Sequence, residues 1–197
     1  MTPVTAPFKV GEVLLDKYAV ERVGRAGGPV VAIAARRVDG DEQVTIKVLG
    51  PVLEAQVDLV KRIERDALAA GQITSEYASR VRDVGALPGR GLCVVSERLD
   101  GRHLAEVIAG TGAMPVRRAV EFVLEACEAL AEAHANGMVH GDVRPENLLL
   151  VRRADGAMII KVLDLGISAA ALAGSALAGD VALAAAEGQP GLSLIHI

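Results

Sequence analysis

The chain has 197 residues, 51% of them hydrophobic, which supplies material for one sizeable core and excludes a disordered chain. Its formal net charge of −4 argues against nucleic-acid binding driven by bulk charge. No run reaches the roughly 20 uninterrupted apolar residues of a membrane span, and Met1–Val10, with Pro3 and Pro7, lacks the apolar centre of a signal peptide, so a cytoplasmic location is expected.

Met1–Asp16 reads as a leader. Lys17–Val23 has a strand pattern, and Val30–Arg37 is a run of β-branched and small residues. Asp39-Gly40-Asp41 is a turn signal, and Gln43–Leu49 closes a hairpin. Over Pro51–Ala70 the period changes: Leu59, Ile63, Ala67 and Ala70 recur at helical spacing with Val60 beside them, and Gly71 is a stop. Arg80–Ala86 and Leu92–Glu97 return to strand around Pro88-Gly89. Gly101–Ala109 reads as a short helix, and Pro115 opens a long one with the apolar stripe Ala119, Val123, Ala126, Leu130 and Ala133, ended by Asn136-Gly137.

Met138–Leu150 is a loop leading into an apolar strand, and Asp155-Gly156 turns the chain into Met158–Leu163. From Ala169 the sequence is rich in Ala and Gly, and Gly191–Ile197 continues no earlier pattern and reads as out-of-frame or adapter-derived. Cys93 and Cys127 both lie in apolar runs, which predicts buried free thiols and no disulfide framework. No His/Cys cluster has metal-ligand spacing.

Chemistry concentrates in Val139–Leu150. Phosphoryl transfer needs a carboxylate near the attacking hydroxyl, a cation near the γ-phosphate and oxygen ligands for Mg²⁺. Asp142, Arg144 and Asn147 supply one of each within six residues. Such a spacing alone is more often a turn, but it sits in the context Arg-Pro-Glu-Asn-Leu-Leu. The segment resembles the catalytic loop of protein kinases, His-Arg-Asp-Leu-Lys-Pro-Glu-Asn. The resemblance implies that Asp142 orients the substrate hydroxyl and accepts its proton, that Asn147 holds Mg²⁺, and that Arg144 stands where a Lys meets the γ-phosphate. His140 would tie the loop to the following Asp-x-Gly backbone.

Ile160–Ile167 resembles the strand that ends in Asp-Phe-Gly, with Leu165 in place of Phe, which implies that Asp164 chelates Mg²⁺. Val44-Thr-Ile-Lys47 resembles Val-Ala-Ile-Lys, whose Lys grips the α- and β-phosphates; a Lys on an apolar strand is costly to bury without a partner. The family's partner Glu, about 19 residues on, falls at Asp66, with Glu64 as the alternative. The two are about 200° apart on a helix, and Asp66 lies nearer the apolar stripe. Asp is one methylene short, and a merely solvated charge is the other reading.

Members of the family resembled cover the phosphates with a glycine-rich loop, which, counted back from Lys47 at family spacing, would be degraded here. Its positions hold Arg25, Gly27, Val30 and Ala32, so only Gly27 is kept; Arg25 is either a compensating cation or a surface turn residue. Cys93–Arg98 resembles the edge strand and hinge that hold adenine, which implies Ser96 as a small gatekeeper and Glu97 as the start of the hinge.

The resemblance covers residues 17–168 and is close in style to myxobacterial-type serine/threonine kinases. It implies an α+β, two-lobe kinase fold. Residues 17–98 would form a β-rich, ATP-binding lobe with one helix. Residues 99–168 would begin an incomplete helical lobe, and 169–197 would hold an incomplete activation segment. The implied function is an ATP- and Mg²⁺-dependent kinase acting on a protein Ser or Thr hydroxyl, with no nucleic-acid partner. Without an Ala-Pro-Glu segment the chain is expected to be poorly stable and inactive alone. Two other readings stay open. A pseudokinase, serving as a nucleotide-binding or scaffold module, would account for the damaged glycine loop, Asp66, Arg144 and Gly141. A small-molecule phosphotransferase would suit His-Gly-Asp.

Overall fold

The computed structural model describes residues 8–24, 30–50 and 57–167. The first lobe is built on an antiparallel sheet of β1 (Val13–Leu14), β2 (Tyr18–Val23), β3 (Val30–Arg37), β4 (Gln43–Leu49), β5 (Val81–Leu87) and β6 (Gly91–Glu97), in the order β1-β2-β3-β4-β6-β5. Strand alternation sets its two faces. Val31, Ile33 and Ala35 of β3 and Val44, Ile46 and Val48 of β4 pack with Tyr18, Val20, Cys93 and Val95 in one core. The other parity, Ala32 and Ala34 opposite Lys47 and Thr45, with Thr45 also opposite Ser96, belongs to the opposite face. A slip of one residue would drive Lys47 into the apolar core, so the register is firmly set.

Helix α1 (Val57–Ala70) lies on the Lys47 face and buries Ile63 and Ala67 among Leu49, Leu92 and Val94. The expected helix from Pro51 is described only from Val57, since residues 51–56 lie outside the described part. The leader expected over 1–16 is corrected: Phe8 and Leu14 enter the first core, and Val13–Leu14 pairs with Ala19–Tyr18.

The second lobe holds β7 (Gly101–His103), α2 (Leu104–Thr111), α3 (Val116–Ala135), β8 (Leu148–Arg152) and β9 (Met158–Val162), with sheet order β7-β8-β9. The helix expected from Gly101 begins instead at Leu104. Gly101 pairs with Val151, and a Cβ there would stand 2.6 Å from the Leu150 carbonyl oxygen, so glycine is what lets β7 close on β8.

Helix α3 buries Phe122, Ala126, Ala129 and Ala133 against Leu148, Ile160, Val162 and Leu165. The expected stripe is therefore corrected by part of a turn: Val123 is exposed and Phe122 takes the core. The helix carries apolar residues around most of its girth, Val116, Val120 and Leu124 among the exposed ones, so periodicity alone could not choose the face.

Polar side chains of α3 hold the neighbouring elements in place. Ile160 N–H donates to Glu125 Oε2 (2.7 Å) and Arg118 Nη2 donates to the Met158 carbonyl (2.8 Å), covering the outer edge of β9. Glu132 accepts the backbone N–H groups of Thr74 and Ser75, both at 2.8 Å, and the Thr74 hydroxyl at 2.9 Å. These amide donors hold its carboxyl below the usual carboxylate range.

Of the two cysteines expected to be buried, only Cys93 is; Cys127 is exposed on α3. Burial, with a smaller contribution from the Asp83 charge, pushes the Cys93 thiol up to about 12. Iodoacetamide at pH 8 is expected to label the native chain once, at Cys127, and twice only after denaturation. Peptide mapping that finds Cys93 alkylated in the native protein would contradict this packing.

Candidate active site

The site is assembled where β9 leaves the second lobe beneath the Lys47 face of the first. Pro145–Asn147 forms one turn of 3₁₀ helix that turns the chain into β8. Asn147 Nδ2 donates to the Asp142 carbonyl (2.9 Å) and to Asp142 Oδ2 (2.8 Å), which fixes the carboxylate. The Asn147 carbonyl accepts the Leu163 N–H at 2.9 Å.

His140 is 2% exposed and completes the clamp. Its Nε2 lies 2.8 Å from the Leu163 carbonyl, and its Nδ1 lies 3.2 Å from the Asp142 N–H. An acceptor on one side and a donor on the other assign the ring proton to Nε2. Both backbone groups of Leu163 are thus bound to the loop that carries Asp142, and the next residue is Asp164.

Asp164 has φ 60, a left-handed conformation uncommon for a residue with a Cβ and the kind of local strain that gathers at functional sites. The turn is closed by Ile167 N–H donating to the Asp164 carbonyl (2.9 Å). Leu165 is buried with Phe122 and Ile160, so it keeps an apolar anchor where the family motif has Phe. Gly166, at φ 83, rests directly on α1.

Lys47 Nζ bonds both carboxylate oxygens of Asp164, each side chain about three-quarters buried. The expected pairing of Lys47 with Asp66 is corrected by this arrangement. Asp66 is mostly buried on the expected face of α1, but its carboxylate is engaged by Arg65 Nη2 at 2.7 Å and approached by Arg62 Nε at 3.7 Å. The missing methylene and two nearer guanidinium groups favour the arginines over Lys47. Arg144 sits apart: its Nε is 3.2 Å from Glu146 Oε2, and the side chain is exposed.

Ser96 lies on the Lys47 face and donates to the Thr45 carbonyl at 3.3 Å. A cavity of about 240 Å³ opens next to its hydrogen-bond partner Thr45, lined among others by Gly24, Ala32, Ala34, Arg98 and Leu99. Glu97, placed at the hinge by position, directs its carboxylate to Lys161 Nζ (2.9 Å) and the Arg80 N–H (3.1 Å). Arg25 and Gly27 lie outside the described residues. A larger hollow of about 440 Å³ between the β1–β2 turn and β5, lined by Leu15, Lys17 and Asp83, contains none of these groups.

Sequence reasoning did not single out Leu99, Gly166 or Lys161. For Lys161 the signal was present, since it interrupts the apolar strand Ile159–Val162 as Lys47 interrupts β4.

Among the described residues no cluster of three or more His, Cys, Asp or Glu forms a metal site. Mg²⁺ at a phosphate site takes only one or two protein carboxylates and completes its shell with phosphate and water. The hard oxygens of Asp164 and Asn147 fit that requirement.

Comparison with known proteins shows the family and the fold. The protein kinase domain family matches residues 19–184. The serine/threonine-protein kinases pkn3 and Pkn1 of Myxococcus xanthus are 31% and 38% identical over 167 and 150 residues, covering 85% and 76% of this chain. The chain spans only 30% and 21% of their lengths. In fold, it resembles the crystal structure of the Mycobacterium tuberculosis PknI kinase domain with a TM-score of 0.72 at 24% identity, over 83% of this chain and 64% of that one.

Proposed function

This chain belongs to the protein kinase family, and from that premise we propose that it carries the catalytic centre of a serine/threonine protein kinase that uses ATP and Mg²⁺. The carrying observation is the clamp of His140, Asn147 and Leu163, which holds the Asp142 carboxylate in fixed relation to Asp164 and so to Lys47.

Phosphoryl transfer asks little covalent chemistry of a protein and much positioning. Asp142 Oδ2 is taken by Asn147, and its second oxygen receives the proton of the Ser or Thr hydroxyl. The hydroxyl oxygen then forms the new bond to the γ-phosphorus, the bond from that phosphorus to the β,γ-bridging oxygen breaks, and ADP leaves. Lys47 exchanges Asp164 for phosphate oxygens, which frees the Asp164 carboxylate. Asp164 and Asn147 are the residues that would hold Mg²⁺, which when bound supplies positive charge to the phosphates. The cavity lined by Thr45 and Leu99 is proposed to take the adenine. Arg144, paired with Glu146, must leave that partner if it is to reach the γ-phosphate. Glu97 and Asp66 act at a distance, on the hinge and on α1.

The acceptor is proposed to be a protein, and the location the cytoplasm. Among the described residues no helix is long and apolar enough to cross a membrane.

The test is transfer of labelled γ-phosphate by the full-length protein with and without Mg²⁺, followed by phosphoamino-acid analysis. Label on Ser or Thr, dependent on Mg²⁺, is expected. Folded protein that binds nucleotide but transfers nothing would replace this reading with a pseudokinase. Label confined to a small-molecule hydroxyl such as an aminoglycoside would replace it with a small-molecule phosphotransferase.

A further inference from the structure

We infer that Lys161 is a positioning residue for the nucleotide, acting through Glu97 to set the distance between the strand that delivers Asp164 and the hinge. Lys161 lies on β9, three residues before Asp164, and Glu97 is the last residue of β6. Their ion pair, 2.9 Å long with side chains 14% and 20% exposed, is the most buried one among the described residues. It is also the point where three segments meet. Lys161 Nζ donates to the Ala78 carbonyl at 3.2 Å as well as to Glu97. The same Glu97 Oε1 accepts the Arg80 N–H, and the Glu97 N–H returns a bond to the Arg80 carbonyl at 2.9 Å.

One ammonium group therefore ties β9 of the second lobe to the last residue of β6 in the first and to the segment entering β5. The backbone just past Glu97, at Arg98 and Leu99, lines the cavity assigned to the base. The carboxylate just past Lys161 is assigned to the phosphates. The two ends of one ligand are thus gripped by residues within three positions of the two partners in the pair. Cutting the pair lets hinge and Asp164 move apart without touching the proton path through Asp142. A buried carboxylate left without its cation also has to find water or a proton, which displaces the hinge further.

This inference rests on the kinase reading, and the experiment separates the two. The full-length protein is titrated with N-methylanthraniloyl-ATP by fluorescence, and its KM for ATP and kcat are measured, for the wild type, Lys161→Met, Lys161→Arg and Glu97→Gln. The Met and Gln variants are expected to bind the analogue at least tenfold more weakly and to raise KM for ATP in proportion. Their kcat should stay within threefold of wild type. Lys161→Arg, which keeps the charge, should stay within threefold in affinity. Thermal midpoints identify any variant that fails to fold, and the near-isosteric Glu97→Gln carries the test if Lys161→Met does. Unchanged affinity in a folded Glu97→Gln, or a fall in kcat alone, overturns the inference and leaves the kinase reading standing. A wild type that binds the analogue without transferring phosphate overturns the kinase reading and leaves the tie to be read from affinity alone. A wild type that does not bind the analogue overturns both.

Discussion

Replacing Asp142 with Asn lowers γ-phosphate transfer by about 10²–10⁴-fold, the usual contribution of a positioned general base. It leaves nucleotide affinity within about threefold. The substitution is isosteric, and the amide oxygen can still accept the Asn147 Nδ2 bond that now ends on Asp142 Oδ2. The backbone tie from the Asp142 N–H to His140 is untouched. What is lost is the oxygen able to take a proton. The loss should therefore appear in kcat, with KM for ATP and the thermal midpoint nearly unmoved. A variant that keeps wild-type kcat would remove Asp142 from the proton path. One that fails to fold would show that the carboxylate is chiefly a structural acceptor.

Gly166→Ala is expected to damage the site through a single methyl group. A Cβ at this position stands 2.6 Å from Ala67 Cα and 2.8 Å from both Ala67 N and the Asp66 carbonyl oxygen. These are backbone atoms of α1, which cannot turn aside as a side chain can. Ala67 is itself fully buried between α1 and the sheet, so the helix has no slack in that direction. Either α1 lifts or the turn carrying Asp164 is pushed back, and in both cases the Lys47–Asp164 pair is broken. Overpacking of this kind costs about 1–3 kcal/mol, and transfer should fall by well over tenfold. Gly89→Ala is the control, because Gly89 also has a positive φ, 69, yet a Cβ there meets nothing within 4 Å. If denaturant midpoints and transfer rates of the two variants match, α1 does not bear on the Asp-Leu-Gly turn.

Much of this was readable in advance because local rules and tertiary demands agreed. The limits of β3 and β4 follow from their β-branched runs, and the structure places them at Val30–Arg37 and Gln43–Leu49 as expected. The motif residues Asp142, Asn147 and Asp164 were legible because their spacing is dictated by one loop and one strand, and His140 ties the loop to Leu163, one residue short of the Asp-x-Gly backbone that the resemblance implied. The errors share a different cause: they depend on which of several partners is nearer. Spacing put Asp66 on the right face of α1, but sequence cannot weigh a short carboxylate against Arg62 and Arg65 one helical turn and one residue away. The long helix was found, yet its apolar residues surround it, and only packing selected Phe122 over Val123. Gly101 looked like a helix start because a strand of three residues has too short a pattern to be seen.

The bonds from Glu132 reach beyond local stability. Residues 74–79 precede β5, yet they are stitched to the second lobe: Thr74 and Ser75 by Glu132, and Tyr77 and Ser79 by backbone bonds of 2.7 and 2.9 Å to Val162. The other connection between the lobes is pinned where Lys161 meets Glu97. Mechanically these are two bearings fixed in the second lobe, and any rocking of the first turns on the line between them. Helix α1 then swings as a lever whose fulcrum is the short stretch Gly71–Ile73. Its 14 residues give an arm of about 20 Å, so a rotation of a few degrees at the fulcrum becomes a displacement of an ångström or more at Val57.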